Sequence, residues 1–136
     1  MTTVSPHEAL IYAMVTMSAV DRKMTDAEFQ RMASIVKTLP VFLDFDQDRL
    51  VAVAEECGER LSDNSSLEEV LHTIADSLPK KLYETAYACA VEVAAADLRV
   101  ADEEIRLLEL LRDALRLDKL VTAAIERSAR ARHQTL

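Results

Sequence analysis

Residues 21–28 read DRKMTDAE and residues 97–104 read DLRVADEE, each after an apolar stretch, LIYAMVTMSAV and AVEVAAA. The likeness holds at a constant offset of 76: Val15 pairs with Val91, Ala19 with Ala95, Asp21 with Asp97, and Asp26, Glu28 and Leu39 with Asp102, Glu104 and Leu115. Met32 and Ile35 match Leu108 and Leu111, so the apolar register of the following helix is kept as well. Beyond it, a helix over 45–61 corresponds to one over 118–132 after a shorter connection. A chain that writes helix, acidic turn, helix and helix twice is restricted to two related units packed on one another. Such duplicates pack about a pseudo-two-fold axis. An axis running along the first and fifth helices brings both acidic turns to the same end.

The composition narrows the units to helices. Gly occurs once in 136 residues and Pro three times, which disfavours tight hairpins and favours helix. No segment shows a period of two. A chain of this length fits one domain, and folding buries roughly two-thirds of its unfolded surface.

Seven helices are predicted. Ser5, Pro6 and Glu8 open the first as a capping box, and its apolar residues lie nearly all round, as in a helix buried on several sides. Thr25 with Glu28 opens the second, carrying Phe29, Met32, Ile35 and Val36, and Leu39-Pro40 stops it. Asp44 or Asp46 starts the third, with Leu50, Val53, Ala54 and Cys57 on one face and an end near Gly58–Leu61. Ser66 and Glu69 cap the fourth, with Val70, Leu71, Ile74 and Leu78 inward. Pro79 begins the fifth, with Leu82, Ala86, Cys89, Val93 and Ala96 at helical spacing. The sixth runs from Asp102 with Ile105, Leu108, Leu111 and Leu115 inward. Asp118 caps the seventh, with Val121, Ala124 and Ile125 inward. The expected architecture is one all-α bundle over 1–136, with repeat one at 5–61, a linking helix at 66–78 and repeat two at 79–132.

The formal net charge is −8, which repels phosphate backbones and argues against nucleic acid as a partner. It suits cations, basic protein partners or solubility. The basic run RSARARH at 127–133 complements a helix C-terminus. The start MTTVSPHEAL lacks the pattern of a signal peptide, and Glu92 interrupts the longest Ala/Val-rich stretch, so membrane insertion is not expected. Cys57 and Cys89 show no CxxC or Cys/His spacing and read as small core residues in a reducing, cytoplasmic compartment.

Catalysis finds no support. There is no Ser/His/Asp arrangement, and one Gly excludes a phosphate loop. His7, His72 and His133 are far apart, at positions expected to be exposed, with no HxxxH pairing for zinc. Glu69-x-x-His72 has the spacing of a di-iron ligand pair, but it occurs once and outside the repeat. Glu92 reads as the wetter side of a central helix, its counterpart being Thr16. The five Met residues read as core filler.

The acidic octets carry the remaining chemistry. Glu28 is the third residue of a capping box and Asp26 lies in a first turn, where the helix dipole favours negative charge. Asp102, Glu103 and Glu104 are placed alike. Capping accounts less well for Asp21 and Asp97, because an acid at a helix C-terminus opposes the dipole. The other reading is a cation surface. Each copy offers three carboxylates, and two copies at one end offer six, a set suited to Ca²⁺, or with more water to Mg²⁺. The spacing is not that of an EF-hand.

An apolar helix ending in Asp, followed by x-x-hydrophobic, a capping residue and Glu, resembles the TerB-like family of tellurite-resistance proteins. That family is related to the N-terminal domain of a membrane-anchored DnaJ-type co-chaperone. The resemblance rests on Asp21-Arg22-Lys23-Met24-Thr25-Asp26-Ala27-Glu28 and Asp97-Leu98-Arg99-Val100-Ala101-Asp102-Glu103-Glu104 and covers roughly residues 8–130. The Gly usual after the first Asp is Arg22 in one copy and Leu98 in the other, and Ala101 replaces a capping hydroxyl. The resemblance implies an all-helical, non-enzymatic stress-response protein, with Asp21, Asp26, Glu28, Asp97, Asp102 and Glu104 as a surface for a divalent cation. The alternative it implies is a co-chaperone-like scaffold whose acids dock a basic protein partner without metal.

Overall fold

The computed structural model describes residues 3–18, 24–62, 67–95 and 102–136. Among them are seven α-helices: α1 (Pro6–Ser18), α2 (Asp26–Thr38), α3 (Leu50–Ser62), α4 (Leu67–Ser77), α5 (Tyr83–Ala94), α6 (Asp102–Ala114) and α7 (Lys119–Arg132). Short 3₁₀ turns at Pro40–Phe42, Gln47–Arg49 and Lys80–Leu82 complete the described elements, and the fold is the all-α bundle expected.

The two most apolar helices form the centre. Every residue of α1 from Ala9 to Ser18 is buried, and α5 buries Ala86, Tyr87, Cys89, Ala90, Val91, Val93 and Ala94. Small residues on α5 admit the close approach of α1, its most extensive packing partner. The remaining contacts come in reciprocal pairs under the repeat. α1 packs on α3 as α5 packs on α7, α1 on α2 as α5 on α6, and α2 crosses to α5 as α6 crosses to α1. The linking helix α4 buries Val70, Leu71 and Ile74 against α1, α3 and α6.

Local chemistry sets the ends. The Ser5/Glu8 box forms as expected: the Glu8 amide donates to Ser5 Oγ at 3.2 Å and the Ser5 amide to Glu8 Oε1 at 2.9 Å. Asp118 caps α7 by accepting from the Leu120 amide at 3.2 Å. Asp46 caps too, but what it opens is the 3₁₀ turn at Gln47–Arg49, so α3 itself begins only at Leu50. Pro79 likewise precedes a 3₁₀ turn, and α5 starts at Tyr83. α3 runs through Gly58 to Ser62, close to the end expected near Gly58–Leu61. A lone glycine in a helix interior weakens it without breaking it.

Two faces differ from the sequence reading. On α6, Ile105 is 48% exposed whereas Leu107 is buried with Leu108, Leu111 and Leu115. The helix is rotated toward its Glu104 side, because the buried stripe takes in that carboxylate. On α7 the buried residues are Thr122 and Ala129, while Ala124 is exposed and Val121 and Ile125 are half-buried.

α6 ends in a Schellman motif, with the Leu117 amide donating to the Arg112 carbonyl at 3.0 Å and the Arg116 amide to Asp113 at 3.1 Å. The left-handed residue this motif requires is Arg116, at φ 54°, where glycine is usual. An Arg116→Gly protein should therefore be more stable by about 1 kcal/mol, the strain of a side chain in that region. Urea unfolding checks it, and a loss of stability would contradict the assignment.

Candidate functional site

The first acidic turn delivers its residues onto the start of α2. Thr25 is extended (φ −77°, ψ 162°), and its Oγ1 accepts from the Glu28 amide at 3.1 Å. Glu28 Oε1 in turn accepts from the Thr25 amide at 2.9 Å. The capping box of the sequence reading is thus present. What it did not foresee is depth: Glu28 is only 1% exposed, while Asp26 beside it lies on the surface.

The second copy repeats this pattern of burial on α6. Asp102 and Glu103 are exposed, and Glu104 is 4% exposed. Glu28 and Glu104 are two of the few polar residues buried in the described fold, and they occupy equivalent places. Glu8, the acid of the capping box that opens α1, is a useful contrast. Its side chain keeps 16% of its surface in solvent and pairs with Arg49 at 2.9 Å. The Ser5 amide and Arg49 together hold its carboxyl below the usual carboxylate range, against the opposing effect of partial burial.

Asp21 and Asp97 lie outside the described residues, as does the expectation that the two acidic turns share an end. Among the described residues no three His, Cys, Asp or Glu side chains gather as metal ligands, so Asp26, Glu28, Asp102 and Glu104 do not form such a set by themselves. Ser66 also lies outside the described residues.

The other candidates resolve into packing. Burial pushes the Cys57 thiol up to about 11, with Thr16 Oγ1 3.7 Å away opposing the shift, and pushes Cys89 up to about 12. Both are free core thiols. His7 is half-buried rather than exposed, its Nε2 donating to the Val41 carbonyl at 2.8 Å between the rings of Phe42 and Phe45. His72 is exposed on α4.

His133, also expected on the surface, lies with Arg132 against Glu92. Burial, with the Arg31 and Arg132 charges, holds the His133 pKa below its ordinary value. His133 donates its Nε2–H to Glu92 Oε2 at 3.0 Å. Glu92 and its counterpart Thr16 make different contacts. Each faces the third helix of its own unit, Thr16 meeting Cys57 of α3 and Glu92 meeting the end of α7.

One feature escaped the sequence reading altogether. Tyr12 Oη donates to Glu56 Oε1 at 2.5 Å, with Arg60 over the ring at 5.5 Å, and Tyr87 Oη donates to Glu126. In each unit a tyrosine of the first helix is thus tied to a glutamate of the third. For the third helices the repeat offset falls to 70 (Asp48 to Asp118), and at that offset Glu56 pairs with Glu126. That match was the available signal.

A duplicated all-α architecture with a carboxylate sunk at the start of the second helix of each unit defines the class of protein. Residues 7–127 match the family described as Tellurite resistance protein TerB, and the chain belongs to that family. No curated protein and no solved structure matches it at a significant level.

Proposed function

We propose that the protein is a non-enzymatic stress-response accessory factor related to tellurite resistance, and that its duplicated acidic turns bind a divalent cation, Ca²⁺ or Mg²⁺. Membership in the TerB family supports the resistance role. The observation that carries the cation reading is the burial of Glu28 and Glu104 at equivalent places, 1% and 4% exposed. A glutamate that only caps a helix can keep more of its surface in solvent, as Glu8 does at 16%. Burying a carboxylate is unfavourable unless other interactions compensate, and here the chain does it twice. In this reading Asp21, Asp26, Asp97 and Asp102 supply the outer oxygens, and Glu28 and Glu104 hold the turns in shape from beneath.

The exposure of Asp26, Asp102 and Glu103, on a chain of net charge −8, favours a second reading, docking of a basic protein partner without metal. Calorimetric titration of EDTA-treated protein with Ca²⁺, Mg²⁺ and Zn²⁺ separates the two. Saturable heat with Ca²⁺ or Mg²⁺ is expected. Partner binding that persists unchanged in EDTA, with no heat from any ion, would favour docking.

A further inference from the structure

The two units differ most in the connection between their second and third helices. Repeat one spends six more residues there, since the offset drops from 76 at Leu39/Leu115 to 70 at Asp48/Asp118. The longer connection turns back over its own unit. Phe42 and Phe45 are buried, 1% and 9% exposed. They stand 5.7 and 5.4 Å from the ring of His7 at the start of α1, and 6.0 Å from each other. The His7 Nε2 bond to the Val41 carbonyl fastens the segment in place.

In repeat two the connection is too short to do this. At the matching place lies a cavity of about 680 Å³, within the range of about 300–1,000 Å³ typical of ligand sites. Its wall contains Tyr83, the counterpart of His7, with Leu115 and Leu117, the counterparts of Leu39 and Val41. Ala75 of the linking helix adds to the apolar lining, and the charged side chains of Asp76, Glu84 and Asp113 and of Lys80 and Arg116 also line it.

We propose that this groove is a docking site for a peptide segment of a partner protein carrying two aromatic side chains three residues apart. The chain's own first half displays that chemistry on the equivalent surface, where Phe42 and Phe45 have this spacing. The site is distinct from the acidic turns and does not depend on whether they bind a cation.

The probe is a synthetic peptide of residues 38–47, TLPVFLDFDQ, titrated into the full-length ¹⁵N-labelled protein. Saturable shifts of the Ala75, Tyr83 and Leu117 amides are expected. Binding should weaken about tenfold or more when both Phe of the peptide are Ala, since each aromatic ring removes a large apolar area from water. The shifts should vanish in Ala75→Trp, which fills the groove, and in Leu117→Glu, which charges its wall without adding a bulky ring. Three results would overturn the proposal. These are no shifts up to the peptide's solubility limit, shifts centred on His7 and Val41 where the peptide merely displaces the native segment, or the same shifts on raising protein concentration alone, which would identify a second copy as the occupant.

Discussion

A Phe42→Ala protein should be less stable by about 3–5 kcal/mol, the range for truncating a buried phenylalanine. That corresponds to a fall in melting temperature of roughly 10–20 °C for a domain of this size. Phe42 is 1% exposed and touches both His7 and Phe45, so its removal leaves a void bordered by two aromatic rings and loses their mutual packing. Leu43, the next residue, is 88% exposed, and Leu43→Ala should stay within about 0.5 kcal/mol of the parent. Chemical denaturation of the pair measures the contrast. Equal, small effects would mean that the 40–45 segment is not seated on α1, and the argument from the first unit to the groove of the second would lose its basis.

The second large effect is alkaline destabilisation. Burial raises the folded-state pKa of Cys57 to about 11 and of Cys89 to about 12, against about 8.5 for a thiol in the unfolded chain. A raised folded-state value means that the native state binds the proton more tightly. The associated stability is complete below about pH 8.5 and is lost as pH climbs toward the folded values. Each thiol removes about 1.4 kcal/mol per pH unit in that window, so the two together remove several kcal/mol by about pH 11. Tyr12 and Tyr87 act in the same direction. Burial, reinforced by hydrogen bonds to Glu56 and Glu126, raises both phenols. Urea midpoints measured from pH 7 to 11 should be flat to about 8.5 and then fall. Cys89→Ala should make the fall shallower. A midpoint unchanged to pH 11 would contradict the burial of these groups.

Much of the fold was legible because its signals are local. A hydroxyl followed three residues later by a glutamate fixed the starts of α1 and α2, and the all-round apolar pattern identified α1 as central. The signals that failed depend on neighbours. Nothing near Asp46 or Pro79 distinguishes a helix start from a 3₁₀ turn that leads into one. On α6 the apolar pattern runs its stripe through Ile105. The actual face includes Glu104, which sequence patterning counts as polar. The acidic turns were found by repetition, yet the burial of Glu28 and Glu104 was invisible, since depth comes from the helices packed above them. The tyrosine–glutamate pairs were missed for a similar reason. Glu56 and Glu126 align only after the offset changes from 76 to 70, and Tyr12 and Tyr87 stand 75 apart, one residue off the register of their helices.

The central claim is that an acidic octet written twice forms a cation site, and calorimetric titration of the EDTA-treated protein against its Asp21→Asn/Asp97→Asn variant tests it most directly. Those two acids are the ones that helix capping explains least. The account predicts saturable heat with Ca²⁺ or Mg²⁺ in the parent protein and none in the variant, with both folded by circular dichroism. Absence of heat with every ion in the parent, or identical isotherms in parent and variant, would contradict it and leave the octets as helix caps.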